Sequence, residues 1–266
     1  MIRALWTAAS GMQAQQMNVD IISNNLANVN TTAFKKDRAE FKDLLYETMD
    51  RANVLPDGGK PVNLQVGHGT TAVATVKDFS KGSPEETGNP LDFYIDGDGF
   101  FIVQGPTGEM NYTRDGSFKV SLTDAGKMLA TADGYPVLDD TGNPIMLDTD
   151  LSKLNISQTG ELSYLDENGV YQPTGQVIGL AYFDNPEGLE NLGHNLYKAN
   201  QATGEPVMAL DSTEKSLINQ NFLESSNVQT VEEMVRLIVA QRAYELNSKA
   251  IQSSDEMLGL ANNLRR

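Results

Sequence analysis

The 266-residue chain has no cysteine, which excludes disulfides, thiolate metal sites and a cysteine nucleophile. Histidine is nearly as scarce, present only as His68 and His194. A zinc site or a Ser-His-Asp triad would have to rest on one of them, and neither stands in a GxSxG or HExxH context. Basic residues are few, 20 against 36 acidic, for a net charge of −16. Such a surface repels phosphate backbones and anionic lipid, which argues against nucleic acid as a partner. No apolar run approaches the ~18 residues of a membrane span. The opening MIRALWTAASGM carries a short apolar stretch, followed by Gln13, Gln15 and Gln16 where a cleavage site would stand. It therefore reads as helix and not as a cleaved signal peptide.

What is present is periodicity. Leu5, Met12, Val19 and Leu26 form one column; Ala8, Ile22 and Val29, with Gln15 in a polar slot, form another. Alternating steps of three and four are the period of a coiled-coil seam. A second amphipathic piece, RAEFKDLLYETM, with Phe41, Leu44, Leu45 and Met49, completes a helical N-terminal assembly segment over 1–50. The C-terminal segment 228–266 answers it. Leu237, Tyr244, Ile251 and Leu258 make one column, beside Ala240, Asn247, Ser254 and Ala261. A neighbouring stripe runs through Val239, Ala243, Leu246, Ala250, Met257, Leu260 and Leu264. Two adjoining stripes give a face wider than a two-stranded coil needs. Thr230 with Glu233 reads as a capping box, and Arg265 and Arg266 suit the negative end of the helix dipole.

Between the helices the period shortens to two. TTAVATVKDF, LDFYIDGDGFFIVQ, YTRDGSFKV, LNISQTGELSYL and GQVIGLAYF are short runs rich in β-branched and aromatic residues. Turn signals punctuate them at Asp115-Gly116, Asp133-Gly134, Thr141-Gly142, Thr159-Gly160 and Asn168-Gly169. The expected organisation is α+β. Terminal α-helices pair as a coiled-coil or tube element, and a mostly antiparallel β domain over 67–200 is inserted between them. An extended linker over 51–66 leads in, and 201–227 returns the chain.

Chemistry is harder to find. Asp92, Asp96 and Asp98 in LDFYIDGDGFF suggest a calcium loop, but read from Asp92 the twelfth position is Val103, where a bidentate Glu is required. A tight turn between strands is the better reading. No catalytic residue, cofactor or metal site is assigned. The helices carry more information: Gln15, Asn247 and Ser254 place polar groups on the seams, and such groups fix register and partner number. The seams are therefore expected to be buried by self-assembly between subunits, in preference to a pair closed within one chain.

ISNNLANVNTTAFKK, residues 22–36, resembles the N-terminal signature of the flagellar rod and hook axial proteins. VEEMVRLIVAQRAYELNSKAIQSSDEML resembles their C-terminal motif. RAEFKDLLYETM, IDGDGFFIVQ, YTRDGSFKV and GLENLGHNLYKA follow the same family in order, most fully its distal-rod subfamily, to which the segment 51–66 also points. The resemblance makes Asn24, Asn25, Leu26, Ala27, Asn28, Gln241, Arg242, Ala243 and Tyr244 the motif residues. It implies a non-enzymatic subunit that stacks helically into a tube and carries torque from motor to hook. It further implies passage through the flagellar type III export apparatus, with proximal rod proteins, hook or hook-junction proteins, and periplasmic and outer-membrane rings as neighbours. A proximal rod or hook protein, a secreted β-rich peptidoglycan hydrolase and a trimeric coiled-coil adhesin are the alternatives. One departure stands out: the family pattern has Gly where this chain has Ala33. The helix exit is then expected either to move its left-handed residue to Asn30 or to run straighter.

Overall fold

The computed structural model describes residues 2–50, 63–123, 126–147, 154–166, 170–208 and 216–263. Most of the expected linker, the Asn168-Gly169 turn, Leu264, Arg265 and Arg266 lie outside that set. The chain divides into two compact units. Unit 1 comprises Met1–Ala27, Asp37–Lys77 and Gln229–Arg266; unit 2 comprises Asn28–Lys36 and Asp78–Val228.

Unit 1 is built on two helices, α1 (Ile2–Ala27) and α2 (Thr230–Asn263). Their direction follows from two contacts. Asn25 near the end of α1 meets Glu233 near the start of α2. Gly11 lies against Asn247, where a Cβ would come within 2.8 Å of the amide nitrogen. The helices are therefore antiparallel. Gly11 costs the isolated helix about 1 kcal/mol relative to Ala, and this close approach is the reason for it.

Residues 37–50 differ from the expected helix. Asp37–Asp43 pairs antiparallel with Thr70–Lys77, and Tyr46–Asp50 with Leu64–Gly67. Asp37 to Glu40 alternate half-buried and exposed, the period of a strand. A bulge leaves Val73 of the partner strand between the Glu40 and Phe41 pairings. Phe41, Leu45 and Met49 fall four apart in sequence, a spacing that fits a helical stripe and one face of a strand alike, and all three are exposed. Thr70–Lys77 belongs to the helical unit through this pairing, so the β domain begins at Asp78, later than expected.

Unit 2 is antiparallel throughout its named strands. Its largest sheet has six strands in the order Glu190–Gly193, Leu196–Lys198, Met110–Thr113, Phe100–Gln104, Leu180–Tyr182, Val207–Met208. The continuous apolar run FFIV is explained by its central position. Phe101 and Val103 enter the main core with Phe93, Phe118 and Leu162. Phe100 and Ile102 enter a second cluster with Tyr112 and Tyr197. Edge-to-face rings hold that cluster, Tyr112 on Phe183 at 4.8 Å and Phe79 on Phe100 at 5.3 Å between centroids.

Asp133-Gly134, Thr141-Gly142 and Thr159-Gly160 turn as expected, with glycine φ between 83° and 88°. Gly116 serves a different purpose, since a Cβ there would lie 1.9 Å from the Phe93 carbonyl oxygen. The expected return path contributes strands of its own: Leu217–Gln220 pairs with Phe93–Asp96, and Phe222–Glu224 with Pro84–Glu86.

Candidate assembly interface

The two heptad columns meet each other within unit 1. Ala8, Ile22 and Ala240 are buried, while Leu5, Met12, Val19, Leu26, Leu237, Asn247, Ile251 and Leu258 are half-buried. Burial of this column was expected only on stacking of subunits. The antiparallel partner in the same chain already covers much of it. Val29 leaves the seam altogether, because α1 ends at Ala27 and Val29 lies in unit 2. Tyr244 sits at the margin, 41% exposed. Ser254 is buried, its hydroxyl donating to the Ala250 carbonyl at 2.8 Å.

Of the expected neighbouring stripe, Val239, Leu246, Ala250, Met257 and Leu260 are exposed, Ala243 is half-buried, and Leu264 lies outside the described residues. Val231, Val235, Ile238, Val239, Leu246, Met257 and Leu260 are all exposed, Leu246 at 66%. Their spacing follows the helical repeat, so they share one face, in a patch over 231–246 and a shorter one at 257 and 260, with Lys249 and Ser253 between them. A soluble monomer rarely leaves so many large apolar side chains grouped in water. This is the surface best suited to a second chain.

The amide-rich end of α1 has a partner of its own. The Asn25 side chain donates to the Asp37 carbonyl at 2.9 Å and accepts from the Asp37 N–H at 2.9 Å. It also donates to the Glu233 carboxylate at 3.3 Å. Glu233 is buried, and Arg236 lies 3.4 Å from its other oxygen. The expected capping box is absent, since Glu233 directs its carboxylate to Asn25 and Arg236 and its N–H to the Gln229 carbonyl. Of the other motif residues, Asn24, Ala27, Gln241 and Arg242 are exposed and Ala243 is half-buried. Arg242 pairs with Glu245 at 2.8 Å. The Asn28 side-chain oxygen accepts from the Thr31 hydroxyl at 3.2 Å.

Residues 28–36 cross into unit 2. Ala33 carries φ of +55°, so the left-handed turn is kept and does not move to Asn30. The Ala33 N–H donates to the Glu224 carbonyl at 2.7 Å. Two residues later Lys35 places its ammonium 2.6 Å from the Glu224 carboxylate, and both side chains are buried. Lys35 also donates to the Ser80 carbonyl, and the Gly82 N–H donates to the same Glu224 oxygen. Arg114, also buried, lies 3.8 Å from the second Glu224 oxygen and stacks over Phe100. Burial lowers the Lys35 pKa below the ordinary lysine value, with Glu224 acting in the opposite direction. Nothing in the sequence marked these charges, because FKK reads as a solvated pair.

The residues read for chemistry serve structure. Asp92 is buried and accepts from Thr87 and Asn89, Asp96 pairs with Lys81, and Asp98 is exposed. His68 lies near Glu47 in unit 1, and His194 near Asp133 in unit 2. Among the described residues, no cluster of three His, Asp or Glu side chains is spaced to hold a metal, and no helix is long and apolar enough to cross a membrane.

Known families match both terminal segments and the middle of the chain. Residues 5–35 match the flagella basal body rod protein model, and 219–264 match the flagellar basal body rod FlgEFG protein C-terminal model. Residues 94–164 match the flagellar hook protein FlgE/F/G D1 domain. Over 270 residues the chain is 47% identical to the flagellar basal-body rod protein FlgG of Borreliella burgdorferi, covering 100% of both. The chain belongs to the flagellar basal-body rod protein family. This rod protein is also 42% identical to FlgG of Caulobacter vibrioides, over 99% of this chain and 100% of that one. With FlgG of Bacillus subtilis it shares 37% identity over 100% of both. The solved hook protein FlgE2 of Helicobacter pylori is a remote likeness, 16% identical over 62% of this chain and 47% of that one, with a TM-score of 0.24. The rod protein is thus a structural subunit of the flagellar basal body.

Proposed function

We propose that this rod protein is a non-enzymatic subunit of the distal rod, which polymerises through unit 1 into a helical tube that carries torque from motor to hook. The free apolar stripe of α2 is the observation that carries the reading. One face of the helix pair is satisfied within the chain and the other is left for neighbours. A head-to-tail contact that does not close gives a filament in place of a ring. The Tyr46–Asp50 and Leu64–Gly67 pair adds Leu45, Tyr46, Met49 and Leu64 as further exposed apolar side chains for the same purpose. Proximal rod proteins border the polymer on the motor side, and hook or hook-junction proteins on the other. The flagellar type III export apparatus delivers the subunits. Ring proteins of the peptidoglycan and outer membrane surround the polymer in cells that possess them.

Electron microscopy of the purified chain at rising concentration tests this reading. Tubes or short rods are expected from the wild type, and none from Leu246→Asp, which places an unpaired charge on the free stripe. A wild type that never polymerises, or a Leu246→Asp protein that still forms tubes, overturns it.

A further inference from the structure

The only tryptophan of the chain, Trp6, is 71% exposed near the start of α1. Among the described residues little covers this large side chain. At the other end of α1 a groove of about 210 Å³ opens between both helices and the strand Asp37–Asp43. Ile21, Ile22, Ala39, Val235 and Val239 supply its apolar lining, and Asn18, Asp37, Arg38, Glu233 and Arg236 its polar and charged side. An apolar cavity of about 150 Å³ takes up benzene, so this groove has room for a two-ring side chain.

We propose that Trp6 of one subunit seats in this groove of a second copy. The inference rests on the polymerisation proposed above and names its contact. Three features support it. Tryptophan is among the side chains enriched at the energetic centres of protein interfaces, where it fills a pocket. The Arg236 guanidinium, paired through its edge with Glu232 at 2.6 Å and Glu233 at 3.4 Å, still has its flat face to offer to an indole bound in the groove. Knob and groove also lie fifteen residues apart on one helix, about 23 Å at 1.5 Å per residue. A contact between opposite ends of the same helix is heterologous, so each docking event leaves a fresh knob and a fresh groove exposed. Val235 and Val239 belong to both the groove and the free stripe, which makes the two surfaces continuous.

The test uses the full chain. Polymerisation of the wild type is followed by sedimentation and by tryptophan emission, to which Trp6 alone contributes. Emission is expected to shift to the blue as polymer forms. Trp6→Ala is expected to raise the assembly concentration by about tenfold or more, with unchanged melting of the monomer, and Trp6→Phe to recover part of the loss. Ala39→Phe fills the groove from within and blocks assembly equally. Val239→Phe on the exposed face of α2 serves the same end if Ala39→Phe fails to fold. Trp6→Ala retains a groove and Ala39→Phe retains a knob. At the wild-type assembly concentration an equimolar mixture of the two is therefore expected to form dimers that grow no further, while each alone stays monomeric. Polymer with solvent-type emission, or Trp6→Ala assembling at the wild-type concentration, overturns this contact alone. A wild type that stays monomeric overturns the functional reading along with it.

Discussion

Asn25 and Asp37 exchange two hydrogen bonds through one side chain, the amide of Asn25 matching both the N–H and the carbonyl of Asp37. Opposed residues of an antiparallel ladder bond in the same double fashion. A side chain of α1 thus stands in for a strand and fixes where the chain re-enters unit 1. Asn25→Ala leaves two backbone groups and Glu233 without this partner, and the expected cost is about 2–4 kcal/mol. Chemical denaturation should show a lower midpoint at unchanged slope; Asn25→Asp should be no better, because it loses the donor and faces Glu233.

The buried charges in unit 2 make an asymmetric prediction. Glu224 is the anion between Lys35 and Arg114. Glu224→Gln leaves both cations buried and is expected to cost about 3–5 kcal/mol. Lys35→Met leaves the Arg114–Glu224 pair intact and should cost clearly less. Equal losses in thermal unfolding would mean that Arg114 does not share in the pairing.

Seam and stripe should respond differently to the same substitution. Ile251 is half-buried in unit 1, whereas Leu246 is exposed. Ile251→Asp should lower monomer stability by about 2–4 kcal/mol and reduce helical circular dichroism. Leu246→Asp should leave the monomer within about 0.5 kcal/mol of wild type while blocking assembly. Identical melting of the two variants would remove the distinction between seam and stripe.

Ala33 holds a conformation that disfavours a Cβ by about 1–2 kcal/mol. Ala33→Gly relieves that strain but gives up a buried methyl and adds chain entropy to the unfolded state. The net change should stay within about 1 kcal/mol of zero. Ala33→Val should cost well over that, since branched side chains fit this region worst. Differential scanning calorimetry of the two variants checks the pair.

Burial raises the Tyr112 pKa above the ordinary value of 10.0. A phenol whose pKa is raised on folding loses its proton first in the unfolded chain. Its stabilising contribution is therefore complete below pH 10 and is lost as pH climbs through the folded value. Lys35 acts in the opposite direction: its lowered pKa favours the folded state progressively as pH rises toward 10.5. Tyr112→Phe removes only the first effect and should blunt the alkaline fall in melting temperature. An unchanged alkaline limb would exclude Tyr112 as its source.

The two helices were legible in the sequence because a seven-residue apolar repeat survives any choice of partner. What covers them was not, since a repeat does not say whether the facing helix lies in the same chain. The strands within 37–50 were misread because positions four apart share a face in a strand as well as in a helix, so the spacing of Phe41, Leu45 and Met49 does not separate the two. The turn at Ala33 was misplaced because propensity assigns left-handed backbone to glycine or asparagine, whereas here Glu224 fixes it through a hydrogen bond from a distant part of the sequence. The Lys35–Glu224 pair was invisible for a similar reason: no local pattern links positions 189 residues apart. The sparse chemistry read from Asp92, Asp96 and Asp98 ended in two unrelated structural contacts and one exposed side chain.

Lys36, Asp78 and Asn227 are the residues beside which the chain crosses between units, and within unit 2 they are tied together. The Asp78 N–H donates to the Lys36 carbonyl, the Asn227 side chain donates to the Asp78 carbonyl, and the Lys36 N–H donates to Asn227. Closing a loop of roughly 200 residues to bring α1 to α2 would cost about 5 kcal/mol in chain entropy on a logarithmic length scale. Once unit 2 is folded, those crossing points are gathered and the helices are left only short tethers. Their pairing should then behave as a late and rapid event, governed by the completed β structure more than by the length of chain between them.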